Sequence, residues 1–441
     1  MVRVPLLEVV VLASCAAGSV ASFLEGHPWD SIAWLGSELK PQRDDRDLPL
    51  CMDRPAHIGR VLTGTIQHGP PPVGEPFPQN VMEDFPYASH EHCHMYTESL
   101  RLVPNDCQLE EFDPAVLLDQ IKGRRLVFWG DSVMRQFFAY VVLRLTPYQV
   151  EAGFDLKGKY ADHPPADPRI CKYKKDNWEN GLQLEDACFG IHRDAFQEQQ
   201  SCYYYLNGST ALCYVKLTTA VVDDKNVAFW NDLKQTDIML ANMGLHHNRR
   251  GEFKLALTAF ANLLKYESER RALPLILWRD TSAQHFGGGE GGNYPRDHGY
   301  LRNVDPHTFQ CSKHSQEVMK AWDWRNRYLT EMGFAADSFR VDIPIMRIWH
   351  VTSVAYWLHP RTHGFNTEHA VADCTHFCPT YGGIYEIWTT LLQNILSAAQ
   401  PLSETLSPKI RASKYSLHHY SKLLENVDEA AADYIQEFGE D

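Results

Sequence analysis

The chain has 441 residues, enough for one large domain with insertions or for two domains. Its apolar content of 44% supports a sizeable hydrophobic core. Its formal net charge of -14 argues against nucleic acid or an anionic membrane surface as the main partner, and it is compatible with a neutral or weakly charged substrate.

The first 21 residues have the layout of a secretory signal peptide. Arg3 precedes an apolar stretch from Val4 to Leu12, which Glu8 interrupts, and small residues follow up to Ala21. This pattern predicts cleavage after Ala21 and transfer to the secretory pathway, either the Golgi lumen or the extracellular space. An uncleaved Golgi anchor is the weaker alternative, and no other stretch of the sequence is long and apolar enough to cross a bilayer.

The cysteines beyond this segment number ten, and an even count in an oxidising compartment predicts disulfides. The sequence does not determine their pairing. The ten are Cys51, Cys93, Cys107, Cys171, Cys188, Cys202, Cys213, Cys311, Cys374 and Cys378. The sequon that begins at Asn207 predicts a glycan on a surface loop.

Residues 22–120 are expected to form a flanking segment that packs on the main domain. The part before residue 95 reads as irregular and contains a proline-rich spacer at 69–78. His90-Glu91-His92-Cys93-His94 allows a metal site, but no second ligand pair at zinc spacing lies nearby, so a disulfide at Cys93 is preferred. Residues 112–121 then show helical spacing before the first buried strand.

The centre of the chain is the stretch from Leu126 to Leu145. An apolar run, Leu126 to Trp129, predicts a buried parallel strand, and Val133 to Leu145 predicts a helix. Gly130 and Asp131 form the turn between them, so Ser132 lies where a strand ends and a helix begins. A serine there projects above the sheet edge at which open α/β folds bind ligands. The alternative is an ordinary turn with a helix cap.

The following segments predict an α/β fold. We interpret 150–225, rich in cysteine and polar residues, as a disulfide-tied insertion beside the sheet, with the Tyr203–Tyr205 run packing there or stacking on sugar. Apolar strands are predicted at 236–244 and 273–278, with an amphipathic helix at 253–270 between them. This alternation predicts a mostly parallel sheet between helices. The glycine-rich stretch 287–292 lacks the ending of a phosphate loop, so we expect a flexible rim loop.

The last informative stretch is Asp373-Cys374-Thr375-His376-Phe377-Cys378-Pro379. An Asp three residues before a His can hold the imidazole in one tautomer and stabilise its protonated form. One alternative is a zinc site that uses Asp373, Cys374, His376 and Cys378, although four ligands within six residues is unlike ordinary zinc sites. The other is a disulfide-tied loop with an incidental histidine.

Together these residues resemble a known family. From residue 93 to 392 the chain is similar to the plant trichome birefringence-like proteins and to the wider Cas1p/PC-esterase group of SGNH (GDSL)-like acyl hydrolases and transferases, although 150–225 matches little. Five blocks in the same order carry the resemblance. They are Pro104–Leu109 with Phe112-Asp113, Gly130-Asp131-Ser132 with Arg135, Asn242-Met243-Gly244, Arg279–Phe286, and Asp373–Pro379 with Trp388.

The resemblance implies an SGNH-hydrolase-like, flavodoxin-like fold and a set of residue roles. Ser132 would be the nucleophile, His376 the general base and then the general acid, and Asp373 the residue that orients it. The expected oxyanion donors are the Ser132 N–H and the Asn242 amide, with Arg135 assisting and Gly130 allowing close backbone approach. For the remaining two residues, Arg279 and His285, either substrate contact or support of the site is open.

The implied function is that of an O-acyltransferase, most simply an O-acetyltransferase, that modifies polysaccharide or glycan hydroxyls through an acyl-serine intermediate. The same residues also fit a secreted carbohydrate acetylesterase, and a non-catalytic glycan-binding protein is a third possibility. No bound cofactor or metal is expected, and an acetyl donor such as acetyl-CoA would be a co-substrate. The expected catalytic domain covers 121–400, and the acidic residues 401–441 are expected to pack as a final amphipathic helix.

Overall fold

The computed structural model provides the protein's fold over most of the predicted main domain. The residues that the structure describes are Leu48, 50–52, 64–68, Cys93, 99–151, 169–171, 188–190, 200–205, 210–217, Trp230, 233–287, 304–305, 307–331, 343–363 and 370–405. The signal peptide, the Asn207 sequon, the glycines 288–292 and most of the C-terminal tail lie outside these ranges.

The described secondary structure alternates between strands and helices. The strands are β1 Gly64–His68, β2 Leu100–Pro104, β3 Arg125–Gly130, β4 Arg169–Cys171, β5 Cys188–Gly190, β6 Gln200–Tyr205, β7 Thr210–Lys216, β8 Ile238–Ala241, β9 Leu275–Arg279, β10 Ile345–Met346, β11 Arg361–His363 and β12 Val371–Asp373. The helices are α1 Pro114–Gln120, α2 Ser132–Glu151, α3 Arg250–Ser268, α4 Gln316–Trp322, α5 Trp324–Glu331, α6 Trp349–Ser353 and α7 Ile384–Thr405, with a 3-10 turn at Tyr356–Leu358.

The main sheet of the described chain has eight strands in the order β10-β9-β8-β3-β7-β6-β4-β5. The five from β10 to β7 are mutually parallel, and β6, β4 and β5 extend the sheet in antiparallel fashion. Numbered along the chain, the parallel strands follow the flavodoxin-like order 2-1-3-4-5. The strand order reverses between β3 and β8, and ligands bind at such a switch point in open α/β sheets. The predicted mostly parallel α/β fold is therefore confirmed.

Helices cover both faces of the sheet because β3 is apolar on both sides. Leu126 and Phe128 pack in one core with side chains of α2 and α7. Val127 and Trp129 face the opposite core, which contains the apolar face of α3. Successive side chains of a strand point to opposite faces, so a continuous apolar run is what a sheet buried on both sides requires.

Two segments differ from the sequence interpretation. The sequence predicts an insertion beside the sheet at 150–225, yet β7 lies in this stretch, pairs with every residue of β3 and is a central strand. The five residues from Ala211 to Val215 are all buried, which is the pattern of an interior strand. The sequence predicts an irregular region before residue 95, but β1 lies in it and pairs antiparallel with β2.

Disulfides tie distant parts of the chain to this fold, as the cysteine count predicts. Three described pairs are Cys51–Cys107, Cys93–Cys378 and Cys311–Cys374, and Cys213 is also disulfide-bonded. The Cys93–Cys378 bond agrees with the preferred interpretation of Cys93. Among the described helices, none is long and apolar enough to span a membrane.

Candidate active site

The turn between β3 and α2 places Ser132 at the first position of a helix, at the switch point of the sheet. Gly130 is needed at this turn because a Cβ there would lie 2.8 Å from the Met134 Cβ and 3.0 Å from the Asn242 carbonyl oxygen. A side chain at residue 130 would therefore push β3 and α2 apart or displace the loop after β8.

Asp131 is the cap of this helix. It is fully buried, and its Oδ1 accepts the backbone N–H groups of Val133 and Met134 at 3.0 and 3.1 Å. Its backbone oxygen accepts the N–H of Arg135. A carboxylate that satisfies first-turn donors stabilises the helix start and fixes the direction of the neighbouring side chain. The remaining first-turn N–H beside the Ser132 hydroxyl is that of Ser132 itself.

The structure brings the hydroxyl, imidazole and carboxylate together although the first two are 244 residues apart. The Ser132 Oγ lies 2.7 Å from His376 Nε2, and His376 Nδ1 lies 2.8 Å from Asp373 Oδ2. Asp373 is buried and His376 is partly exposed. Because the carboxylate accepts from Nδ1–H, Nε2 carries the lone pair that can accept the serine proton.

The loop that carries Asp373 and His376 is held from several sides. The Asp373 Oδ1 accepts the backbone N–H groups of Thr375 and His376 at 3.1 and 3.0 Å. Cys374 and Cys378 flank the histidine and are bonded to Cys311 and Cys93. Both thiols are therefore consumed in disulfides, which corrects the zinc alternative for this loop. No group of three or more metal-ligand side chains occurs among the described residues.

The Asn242 side chain reaches the site from the end of β8, next to β3. Its Nδ2 donates to the Arg279 carbonyl oxygen at 2.8 Å and to the Thr281 Oγ1 at 3.3 Å. Both hydrogens of the Asn242 amide are thus used. Its role as an oxyanion donor stays a prediction, because Asn242 would have to give up one of these two bonds to donate to the oxyanion. Gly244 permits the arrangement, because a Cβ there would lie 1.8 Å from the Thr281 Oγ1.

Arg135 lies one turn of α2 beyond the serine. Its side chain is partly exposed, but its Nε is buried and has no hydrogen-bond partner among the described residues. Burial raises the pKa of Tyr214, and the positive charge of Arg135 opposes this rise. The Tyr214 hydroxyl donates to the carbonyl oxygens of Gly130 and Asp131, so this tyrosine supports the serine turn from β7.

Arg279 and His285 are both completely buried, which favours support of the site, and substrate contact by either residue stays a prediction. The Arg279 guanidinium lies 3.9 Å from Asp131 Oδ1 and 5.1 Å from the centre of the Trp388 ring. Burial lowers the pKa of Arg279, and Asp131 partly offsets that. Arg279 therefore supports the cap of α2 from below the site.

His285 lies behind the loop that carries Asp373 and His376, and it contacts His359, a residue for which the sequence predicts no role. Its Nδ1 lies 2.7 Å from His359 Nε2, and His359 Nδ1 lies 2.5 Å from the backbone oxygen of His376. The sequence around His359 gives no periodic or spacing signal for this role. His359 precedes His376 by 17 residues. The antiparallel pairing of β11 with β12, which lie between them in the chain, brings these two histidines together.

Comparison with known proteins gives one distant similarity. No family model matches the chain. Protein trichome birefringence-like 6 of Arabidopsis thaliana is 22% identical over 324 residues, which cover 66% of this chain. The match spans 60% of that relative's length. This relative belongs to the group of proteins that the sequence motifs resemble. The chain is a distant relative in sequence of a trichome birefringence-like protein.

Proposed function

We propose that this protein is an O-acyltransferase of the secretory pathway, acting on hydroxyl groups of a polysaccharide or glycan, most simply as an O-acetyltransferase. The observation that supports it best is the continuous chain of contacts from Ser132 Oγ through the His376 ring to Asp373, 2.7 and 2.8 Å long. The distant similarity to a trichome birefringence-like protein is consistent with the same class of enzyme.

In the first half of the reaction, Ser132 Oγ attacks the acyl carbonyl of a donor such as acetyl-CoA. His376 Nε2 takes the hydroxyl proton, and Asp373 stabilises the imidazolium that forms. The Ser132 backbone N–H at the start of α2 faces the developing oxyanion, and one such donor is worth about 3 kcal/mol of barrier. The tetrahedral intermediate then expels the donor's leaving group, which takes the proton from His376, and an acyl-Ser132 ester remains.

In the second half, a glycan hydroxyl replaces the leaving group. His376 removes the proton of the glycan hydroxyl as the hydroxyl oxygen attacks the acyl carbon. His376 then returns this proton to Ser132 Oγ as the acyl group leaves the serine. The products are an acylated glycan and the free serine. Water as the acceptor would make the same site an acetylesterase, so the difference lies in how well water is excluded from the second half.

The proposed domain arrangement follows from the same reasoning. Residues 1–21 would direct the chain into the secretory pathway, 22–120 would support the catalytic domain at 121–400, and 401–441 would add a terminal helix. The disulfides fit an oxidising compartment. The Golgi lumen is the proposed place of action, with the extracellular space as the alternative.

Two parallel incubations test the function. In one, purified protein receives a labelled acetyl donor and an unacetylated glycan; in the other, it receives an acetylated glycan and water alone. We expect label on the glycan in the first and little acetate release in the second. Acetate release without transfer would make the protein an esterase. Glycan binding that survives Ser132→Ala, with no turnover in either incubation, would make it a binding protein.

A further inference from the structure

Two buried histidines form a continuous hydrogen-bonded chain that ends on the backbone of His376. His285 Nε2 lies 3.0 Å from the backbone oxygen of Ser353, and His285 Nδ1 lies 2.7 Å from His359 Nε2. His359 Nδ1 lies 2.5 Å from the backbone oxygen of His376. His285 and His359 are both fully buried. All four ring nitrogens therefore meet a polar atom.

The number of protons on this chain follows from its two ends. A carbonyl oxygen can only accept, so His285 Nε2 must carry a hydrogen toward Ser353 and His359 Nδ1 must carry one toward His376. The central contact joins two ring nitrogens at hydrogen-bonding distance, and it also needs one hydrogen. Three hydrogens on four ring nitrogens give the two imidazoles one positive charge between them.

Both neutral and doubly charged pairs conflict with these distances. A neutral pair has two hydrogens, so either two nitrogen lone pairs face each other at 2.7 Å or one lone pair faces a carbonyl oxygen. A pair with four hydrogens would place two N–H groups head to head at the same contact. Only the singly charged pair makes every contact attractive, and buried polar groups are satisfied in nearly all folded proteins.

We propose that His285 and His359 share one proton as a buried imidazole–imidazolium pair, which positions the catalytic loop by holding the backbone oxygen of His376. The two residues are positioning residues, because neither touches the serine. The description of His376 as catalytic rests on the proposed function, whereas the charge of the pair does not.

Aromatic rings lie around the pair in the described part of the chain. The rings of His314 and Tyr356 lie 6.3 and 6.4 Å from that of His285, and the Phe377 ring stacks on His359 at 4.4 Å. Burial lowers the pKa of His285 well below its usual value, His359 lowers it further, and the Ser353 carbonyl raises it. Burial thus opposes the charge, and the two carbonyl acceptors with the shared proton stabilise it.

Asp373 accepts from Nδ1 of His376, whose backbone oxygen meets Nδ1 of His359. The third histidine, His314, packs against Trp322, and burial lowers its pKa. The positive charge is shared by two rings and is directed at two backbone oxygens.

Nuclear magnetic resonance of protein with nitrogen-15 in its histidine rings measures the charge directly. We expect the pair to show two hydrogen-bearing outer nitrogens and two central nitrogens with averaged, intermediate shifts. His285→Gln and His359→Gln assign these signals by their disappearance. Asp373→Asn removes the strong hydrogen bond between His376 and Asp373. A far-downfield proton signal that wild-type protein shows and Asp373→Asn retains therefore belongs to the shared hydrogen, even if the glutamine variants do not fold. One fully hydrogen-free nitrogen on each ring, with no such proton, would overturn the proposal.

Kinetics test the positioning role separately. Loss of the shared proton as pH rises should reduce kcat, so the wild-type profile should fall toward alkaline pH, and burial moves the midpoint of this fall to lower pH. We expect His285→Gln/His359→Gln to have kcat reduced by about tenfold or more with KM little changed, and to lack that alkaline fall. His307→Gln, at an exposed histidine, is the matched control. An unchanged alkaline fall in the double variant would refute the positioning role.

The two proposals fail in different ways. If wild-type protein transfers and hydrolyses no acyl group, the proposed function fails, and the resonance experiment still decides the charge of the pair. If acyl transfer is normal and the pair is neutral, the function stands and this inference fails.

Discussion

At the scale of single residues, two carboxylates determine the geometry of the site. Asp131 satisfies N–H groups at the start of α2 and sets the serine turn. Asp373 uses one oxygen for backbone N–H groups of its own loop and the other for the histidine ring. The direction of the imidazole is thus determined twice, by its ring contact and by the loop geometry.

Replacing Asp373 with asparagine keeps the shape and removes the charge. An amide can present an N–H toward Nδ1, which favours the histidine tautomer with its hydrogen on Nε2, so the ring can no longer accept the serine proton. We expect kcat to fall by about 10⁴-fold with the fold retained. Circular dichroism and acyl-transfer assays check both parts, with Asp305→Asn, at an exposed turn, as the control. Near-normal turnover in Asp373→Asn would contradict the assigned role.

The three central residues could be predicted because each is marked by a local pattern. Ser132 follows a short apolar strand and a Gly-Asp turn, and Asp373 and His376 are three residues apart. His359 could not be predicted in this way, since its partners are 17 and 74 residues away and no local spacing reflects them. The burial of Arg279 could not be predicted for a related reason, because the sequence shows its charge, whereas its complete burial depends on packing against Trp388.

At the scale of elements, the loop between β12 and α7 is the least regular part of the site, and covalent bonds hold it. The Cys311–Cys374 disulfide lies next to Asp373, and Cys311 Sγ lies 3.6 Å from the Asp373 backbone oxygen. Cys374 also accepts the backbone N–H of His285. The bond therefore joins the carboxylate to the segment that follows β9.

Removing this disulfide should affect both stability and activity. The Cys311–Cys374 bond closes 63 residues, so Cys311→Ser/Cys374→Ser should cost up to about 4 kcal/mol of unfolding free energy. Cys51→Ser/Cys107→Ser is a matched control, because that bond closes 56 residues in the flanking segment. We expect similar losses in denaturant unfolding for both pairs and a lower kcat only for the first. Equal kcat values in the two folded variants would show that the bond does not order the site.

Two acids beside α4 and α6, the buried Asp280 and the partly buried Asp323, give the fold a pH dependence. Burial raises the pKa of Asp280 to about 6, opposed by Arg347. Burial and the charge of Asp280 raise the pKa of Asp323 to about 7. Both pKa values exceed the 3.8 of an unperturbed aspartate. Between pH 3.8 and these raised pKa values, the folded state therefore binds more protons than the unfolded state.

The free energy of unfolding should therefore fall as pH rises from about 4 to about 7, and then level off. Asp323→Asn removes one of the two groups and should flatten this fall while keeping the contact with Asn326. Denaturant unfolding at about pH 5 and about pH 8 measures the difference. Glu252→Gln, on the exposed side of α3, should leave the slope unchanged. A slope that is as steep in Asp323→Asn as in wild type would contradict the assignment.

The elements that the sequence predicted well are those with a long, uninterrupted pattern. The predicted helix at 253–270 corresponds to α3 at Arg250–Ser268, and the predicted strands correspond to β3, β8 and β9. The strand β7 was missed because cysteines and polar residues surround it, although its own five-residue buried run is typical of an interior strand. The pairing of β1 with β2 depends on contacts that no local pattern contains.

At the scale of the whole molecule, the parallel strands explain why the site lies where it does. The strand order reverses between β3 and β8, and Ser132 and Asn242 follow these two strands. His376 arrives from a disulfide-held loop much later in the chain. The fold class could be predicted from strand and helix alternation, whereas the cysteine pairing required the structure, because Cys93 and Cys378 are 285 residues apart.

The proposed function requires Ser132 to form a covalent ester with the acyl group. Mass spectrometry of purified protein, briefly exposed to a labelled acetyl donor without a glycan acceptor and then digested, tests this directly. We predict label on the peptide that contains Ser132, its loss on addition of the acceptor glycan, and no label in Ser132→Ala. Transfer of the label to glycan by a protein whose Ser132 is never acylated, or that keeps full activity as Ser132→Ala, would contradict it.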